Sequence, residues 1–420
     1  MIETAILDNG LRVVVGHRPG QVVYCGLAVD AGTRDQLPDE SGMAHFIEHM
    51  SFKGTQRRRS WHIINRMEAV GGDLNAYTGK EHTVYYCSTL RQYLSRAIDL
   101  LFDITFNSTY PQAELEREVE VVVDEIESYN DSPSELIYDD FEAHLFKDHP
   151  LGYNILGDAE RLRQYKTADL QRFVRRLYHP KRMVLFVYGD TTLREVERMA
   201  LRLCQAESIT CSLSPLTPNP SPFARLCRLI HSRTPNPSSS LVEVKKDTHQ
   251  AHVIVGCQAY GMGNERYMGL GLLSNLLGGP GMNSRLNMSL RERRGLVYTV
   301  ESSLTGYTDT GVWTTYFGCD HKDVGRCCRL VHNELERLMD KPLSASQLAA
   351  AKRQMCGQAA LSWENGENVA IAMGRRMLHL GETCSLEQYC DEINSLDANC
   401  LCDIARECFS ASRLLTLVYD

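Results

Sequence analysis

Two imidazoles and a carboxylate fall within five residues of this chain, at His45, Glu48 and His49. If the segment is helical, each residue turns the side-chain direction by about 100°, so the two histidines lie within roughly 40° of each other and one turn apart. At that spacing two imidazole nitrogens can hold one metal ion, and zinc is the ion that histidine and carboxylate ligands bind in four-coordinate sites. Glu48 lies beside them, close enough to reach a water on the metal without being a ligand itself. An ordinary helix with two surface histidines would carry the same five letters. Catalytic work needs a third protein ligand and one open position.

Candidates for that ligand lie downstream. Residues 111–133 open at Pro111, contain no interior Gly or Pro up to Asn130, and stop at Pro133, which predicts a helix. Glu118 and Glu125 are seven residues apart on it, two turns along nearly the same face and separated by roughly 10 Å. Val119, Val122, Val123 and Ile126 make the adjoining stripe a buried one. Most glutamates in so acidic a helix are solvated, but one that borders such a stripe needs a cation or metal to offset its desolvation. Spacing alone does not choose between the two.

The pattern H-x-x-E-H inverts the H-E-x-x-H signature of zinc peptidases. With the segments around it, HFIEHMSFKGT (45–55), GGDLNAYTGKEHTVYY (71–86), HPLGYNILG (149–157), YHPKRMVLFVYGD (178–190) and GGPGMNSRLNMSLRERRGLVYTVES (278–302), the chain resembles the pitrilysin-like inverzincin peptidases. It is most similar to their short-chain branch, which includes the mitochondrial processing peptidases. The resemblance covers nearly the whole chain. It implies that His45, His49 and Glu125 bind Zn2+, that Glu48 is the general base acting on a zinc-activated water, and that Glu118 is a carboxylate behind the ligands that orients His49 or balances charge.

The same resemblance assigns work to the second half. Residues 289–294 read as a helix that ends at Gly295 before a strand. Arg291 in that helix and Tyr298 in that strand match the pair that, in the family, binds substrate and stabilises the oxyanion, work for which a guanidinium and a phenol are suitable donors. Gly278, Gly279 and Gly281 are not followed by the G-K-[ST] of a phosphate loop and read as a packing turn. Asp73–Thr78 is implied to be an edge strand that pairs with an extended peptide substrate, with Asn75 and Ala76 near the scissile bond. His62 and His82 have no ligand-like partners in the motif.

The elements that must position these residues come as two copies of one plan. Residues 182–188 are echoed at 413–419, an offset of 231, and the strand at 23–32 at 252–261, an offset of 229. At the positions equivalent to the two histidines the second copy has Ser274 and Gly278, so only the first half can bind the metal. Helices are expected at 92–106, 111–129, 324–339 and 344–363. The expected class is α+β: two homologous domains, 1–207 and 241–420, each with helices on a largely antiparallel sheet. They are joined by a linker at 208–240 that contains the Pro-rich run 215–237, and each chain would form half of a clamshell.

Long-chain relatives hold the zinc domain and the Arg/Tyr domain in opposite halves of one polypeptide. This chain of 420 residues carries both elements in half that length, so a homodimer with active sites shared between chains is implied. A net charge of −8 offers no footprint for nucleic acid, and no run approaches the roughly eighteen apolar residues of a membrane span. The N-terminus, with Glu3 and Asp8, does not read as a signal peptide. The fifteen cysteines are scattered and lack metal or nucleophile motifs, as in a reducing compartment. A bacterial cytoplasm is expected, with an organellar matrix as the alternative. A non-catalytic or assisting subunit, or a metal-binding structural protein, would carry the same composition. Such family members usually lack either the zinc motif or the Arg/Tyr pair, and this chain keeps both.

Overall fold

The computed structural model describes residues 2–206, 209, 240–246 and 248–420; the Pro-rich run at 215–237 lies outside them. Strands β1 (Ile2–Ile6), β2 (Arg12–His17), β3 (Val22–Val29), β4 (Asp73–Thr78), β5 (Thr83–Leu90) and β6 (Met183–Gly189) form one sheet, in the order β1-β2-β6-β3-β5-β4. Strands β7 (Ser240–Val244), β8 (Ala251–Ala259), β9 (Val297–Gly306), β10 (Gly311–Cys319) and β11 (Leu415–Tyr419) form a second, in the order β7-β11-β8-β10-β9.

Without β1, the two sheets have one topology. In each, the first strand runs parallel to the last, β2 with β6 and β7 with β11, and every other pairing is antiparallel. The segments that match at offsets of 229 and 231 are β3 with β8 and β6 with β11. Strand for strand, this is what duplication of one α+β unit produces. The helix α1 (Met43–Met50) carries the histidine motif, α2 (Ser60–Glu68) follows it, α3 (Leu94–Phe106) and α4 (Gln112–Asn130) lie where the pattern puts them, and α5 (Pro133–Leu145) comes next; the two expected helices of the second half are Val324–Asp340 and Ala345–Trp363.

The compact units do not follow the contiguous halves expected from sequence. One contains the described residues up to Glu127, those from Tyr153 to Ile209, and Ser362–Ser385; the other contains Ser128–Gly152, Ser240–Leu361 and Leu386–Asp420. Each half therefore lends one helix to the other's sheet, and period-two burial explains why. On β3 and β6, Cys25, Leu27, Val29, Leu185 and Val187 face the larger core of the first unit. Ala28, Val184 and Phe186 face the opposite way and are covered by Ala370, Met373 and Met377 of the helix Gly366–His379. In the second sheet, Ile254, Leu415 and Leu417 are covered in the same way by Leu136, Ile137 and Phe141 of α5. A strand that is apolar on both faces must be buried on both.

Helix α1 is eight residues long, too short to persist without tertiary contacts. It begins at Gly42, whose φ of +75° is a left-handed conformation that favours glycine. Gly42 also touches backbone: a Cβ there would lie 2.6 Å from the Leu156 carbonyl oxygen, and one on Gly157 would lie 2.4 Å from the Gly42 Cα. This crossing of two glycines sets where α1 starts. Beyond its end, buried Asp103 on α3 accepts from Thr55 Oγ1 (2.8 Å) and Arg57 Nε (3.0 Å) and pairs with Arg58. The helix is thus tied down at both ends.

Candidate metal centre

His45 and His49 stand one turn apart on α1, with ring centroids 4.6 Å from each other. Helix α4 brings Glu125 to both: Oε1 lies 3.9 Å from His45 Nε2, and Oε2 lies 3.5 Å from His49 Nε2. All three ligand atoms lie within 4.8 Å of one another, and they are the one such group of three among the described residues. Zinc–ligand bonds of about 2.0–2.2 Å at tetrahedral angles put ligand atoms roughly 3.4 Å apart, so these donors need only a small inward movement to fit that ion.

Glu118, two turns before Glu125, faces the opposite side of His49. Its Oε1 accepts from His49 Nδ1 at 3.0 Å, and its Oε2 meets Lys53 Nζ at 2.6 Å. The proton on Nδ1 directs the Nε2 lone pair towards Glu125 and the metal position. His45 differs: its Nδ1 is buried with no hydrogen-bond partner among the described residues. Burial, and then the neighbouring His49, push the His45 pKa down to about 3, so this imidazole stays neutral, the form that binds a metal.

Burial also works against a proton on His49. There it is outweighed by the hydrogen bond to Glu118 and by the charges of Glu48 and Glu125, and the net direction is upward. Burial lifts the Glu48 carboxyl above the ordinary glutamate range, against the downward pull of its hydrogen bond from Thr78. With imidazoles neutral and carboxylates ionised, Glu48, Glu118 and Glu125 face one cation, Lys53. The cluster then has an excess of two negative charges, which a divalent cation would balance.

Glu48 is buried beside the triad but is not a member of it. Its Oε2 accepts from Thr78 Oγ1 at 2.7 Å. Thr78 ends β4, the outermost strand of its sheet, where Asn75 pairs with Tyr86 and Ala76 with Tyr85. Among the described residues no strand pairs with the other edge of β4. Exposed Asn75 folds its Oδ1 onto the Ala76 N–H at 2.9 Å. Neither Thr78 nor Lys53 stood out in the sequence, since a threonine in a strand and a lysine after a helix are ordinary there. Of the two set-aside histidines, His62 is exposed, and buried His82 bonds His379 at 3.0 Å.

In the second unit, Arg291 lies in a single turn of π-helix, Asn287–Glu292, and Tyr298 lies in β9. The guanidinium sits over the phenol ring, 5.8 Å from its centroid, and Tyr298 is 81% exposed. Both line a pocket of about 480 Å³ together with the glycine turn at 278–281. That turn packs closely: a Cβ on Gly278 would lie 2.6 Å from the Ser302 backbone nitrogen. Ser274 and Gly278 fall in the helix Tyr267–Gly278, between β8 and β9 as α1 lies between β3 and β4, and offer no ligand pair.

Comparison with known proteins agrees with this division. Residues 12–159 match the family model described as Insulinase (Peptidase family M16), and residues 166–355 match the one described as Peptidase M16 inactive domain. The chain belongs to this peptidase family. A protein of Bacillus subtilis (strain 168) named an uncharacterized zinc protease is 31% identical over 100% of this chain and 98% of its own length. Another so named, from Mycobacterium tuberculosis (strain ATCC 25618 / H37Rv), is 32% identical over 96% of this chain and 90% of its own. Among solved structures, a protease from Helicobacter pylori has the same fold, with a TM-score of 0.90 at 22% identity, covering 100% of this chain and 99% of the other. Among the described residues no helix is long and apolar enough to cross a membrane.

Proposed function

We propose that this protein is a zinc-dependent endopeptidase acting on short, unstructured peptides. The observation that carries the reading is the convergence of His45, His49 and Glu125 with a fourth side chain, Glu48, buried beside them. The names of the relatives support zinc as the ion. Bound there, zinc would supply a Lewis acid that polarises water and the scissile carbonyl. Glu48 takes a proton from the attacking water and delivers it to the leaving amine. Arg291 and Tyr298 donate to the negative charge that develops on the carbonyl oxygen. The free edge of β4 at Asn75 and Ala76 pairs with the peptide main chain, which selects extended conformation over sequence.

Zinc content measured beside cleavage of a quenched peptide, with and without chelator, tests this. Hydrolysis should vanish with the metal and return on adding zinc; chelator-resistant cleavage at the full rate would refute it. Disordered peptides of a few tens of residues should be cut while a stable folded domain is spared. Efficient internal cleavage of the folded domain would count against a preference for short, unstructured peptides.

The pairing of zinc site and Arg/Tyr site extends to a homodimer in which Tyr298 serves the partner's zinc site. Mixing Glu48→Gln chains with Tyr298→Phe chains under subunit exchange should then restore about a quarter of parental activity. Random pairing makes half the dimers mixed, and each mixed dimer has one intact site. No recovery despite confirmed exchange would mean that the two groups do not act across chains.

A further inference from the structure

Thr78 has one proton to give and two oxygens within reach. Glu48 Oε2 is 2.7 Å away and Thr83 Oγ1 is 3.4 Å away. Thr83 is buried and donates its own proton to the Ala31 carbonyl at 2.9 Å. An ionised Glu48 can only accept, so the short contact is a bond from Thr78 to Glu48. The two carboxylate oxygens are thereby made unequal: Oε2 is held, and Oε1 has no hydrogen-bond partner among the described residues.

Resting on the reading of Glu48 as the general base, we propose that Thr78 is its positioning residue, fixing the carboxylate rotamer and leaving Oε1 as the oxygen that receives the water's proton. The bond spans two elements, since Glu48 is on α1 and Thr78 on β4. The base thus takes its orientation from the strand whose outer edge is offered to the peptide. A hydrogen bond to a charged group, lost where its acceptor must hold one geometry, corresponds to about a 10- to 100-fold loss in rate.

Thr78→Val keeps the branched shape and removes the hydroxyl, Thr78→Ser keeps the hydroxyl and removes the methyl, and Thr78→Ala removes both. The readouts are kcat and KM on an extended quenched peptide, bound zinc, and the thermal midpoint. Thr78→Val is expected to lower kcat about 10- to 100-fold, with KM within about twofold and zinc and midpoint close to the parent, while Thr78→Ser recovers kcat to within about threefold. If the valine chain does not fold, Thr78→Ala must show the same loss in kcat with serine still rescuing.

Full kcat in either hydroxyl-free chain, equal losses in the serine and hydroxyl-free chains, or a change confined to KM would overturn the role. Glu48→Gln separates the two readings. If Glu48→Gln is dead while Thr78→Val is fully active, only the positioning role falls. If Glu48→Gln is fully active, the general base falls and the positioning role falls with it.

Discussion

A chain with Glu48→Gln is expected to bind zinc like the parent and to hydrolyse peptides about 10²- to 10⁴-fold more slowly, the range that general acid–base groups contribute. The two halves of that result have separate causes. Zinc is retained because the three convergent ligand atoms belong to His45, His49 and Glu125. Hydrolysis is lost because glutamine keeps the shape and not the chemistry. Its amide oxygen can still accept from Thr78 in place of Oε2, which leaves an NH2 donor where the free oxygen stood. A donor facing the water cannot take its proton. Metal analysis on the same sample as the turnover assay decides the matter. Near-normal turnover would remove Glu48 from the chemistry, and loss of zinc would make it part of the binding shell.

How much of this can be read in the residues depends on whether a local pattern exists to read. The α1 motif is legible because helical geometry alone puts His45, Glu48 and His49 on neighbouring positions. The strand at 73–78 is implied by the family resemblance rather than by a local pattern, and β4 covers those residues. Choosing Glu125 over Glu118 is not a local matter: both lie on one face of α4, and the direction from which α1 crosses that face decides which carboxylate meets the Nε2 atoms of both histidines and which meets only Nδ1 of His49. The exchanged helices are a sharper case. The sequence of β6, apolar on both faces, says that its second face is covered. It does not say that the cover is Gly366–His379, nearly two hundred residues later, because many amphipathic helices would serve. Thr78 and Lys53 carry no local signal for the same reason: each is distinguished by one contact set by tertiary packing.

The two glutamates of α4 are expected to separate cleanly when zinc is titrated. Glu125→Ala, like His45→Ala and His49→Ala, should leave no zinc after purification and no hydrolysis, since two ligands do not hold the ion against water. Glu118→Ala should instead weaken zinc binding about 10- to 100-fold, the usual consequence of removing a group that orients a ligand. Without Glu118, His49 loses the acceptor for its Nδ1 proton, and Lys53 is left as an unbalanced cation near the ligands. The defect is one of affinity, so excess zinc should restore much of the activity of Glu118→Ala and none of that of Glu125→Ala. Competition with a chromophoric chelator gives both affinities. The different surroundings of the two carboxylates underlie the prediction: Glu118 has each oxygen engaged, one by imidazole and one by ammonium, whereas Glu125 is 44% exposed with both oxygens turned towards Nε2 atoms. If Glu125→Ala kept one zinc per chain and Glu118→Ala lost it, the assignment of ligand and orienting carboxylate would have to be reversed.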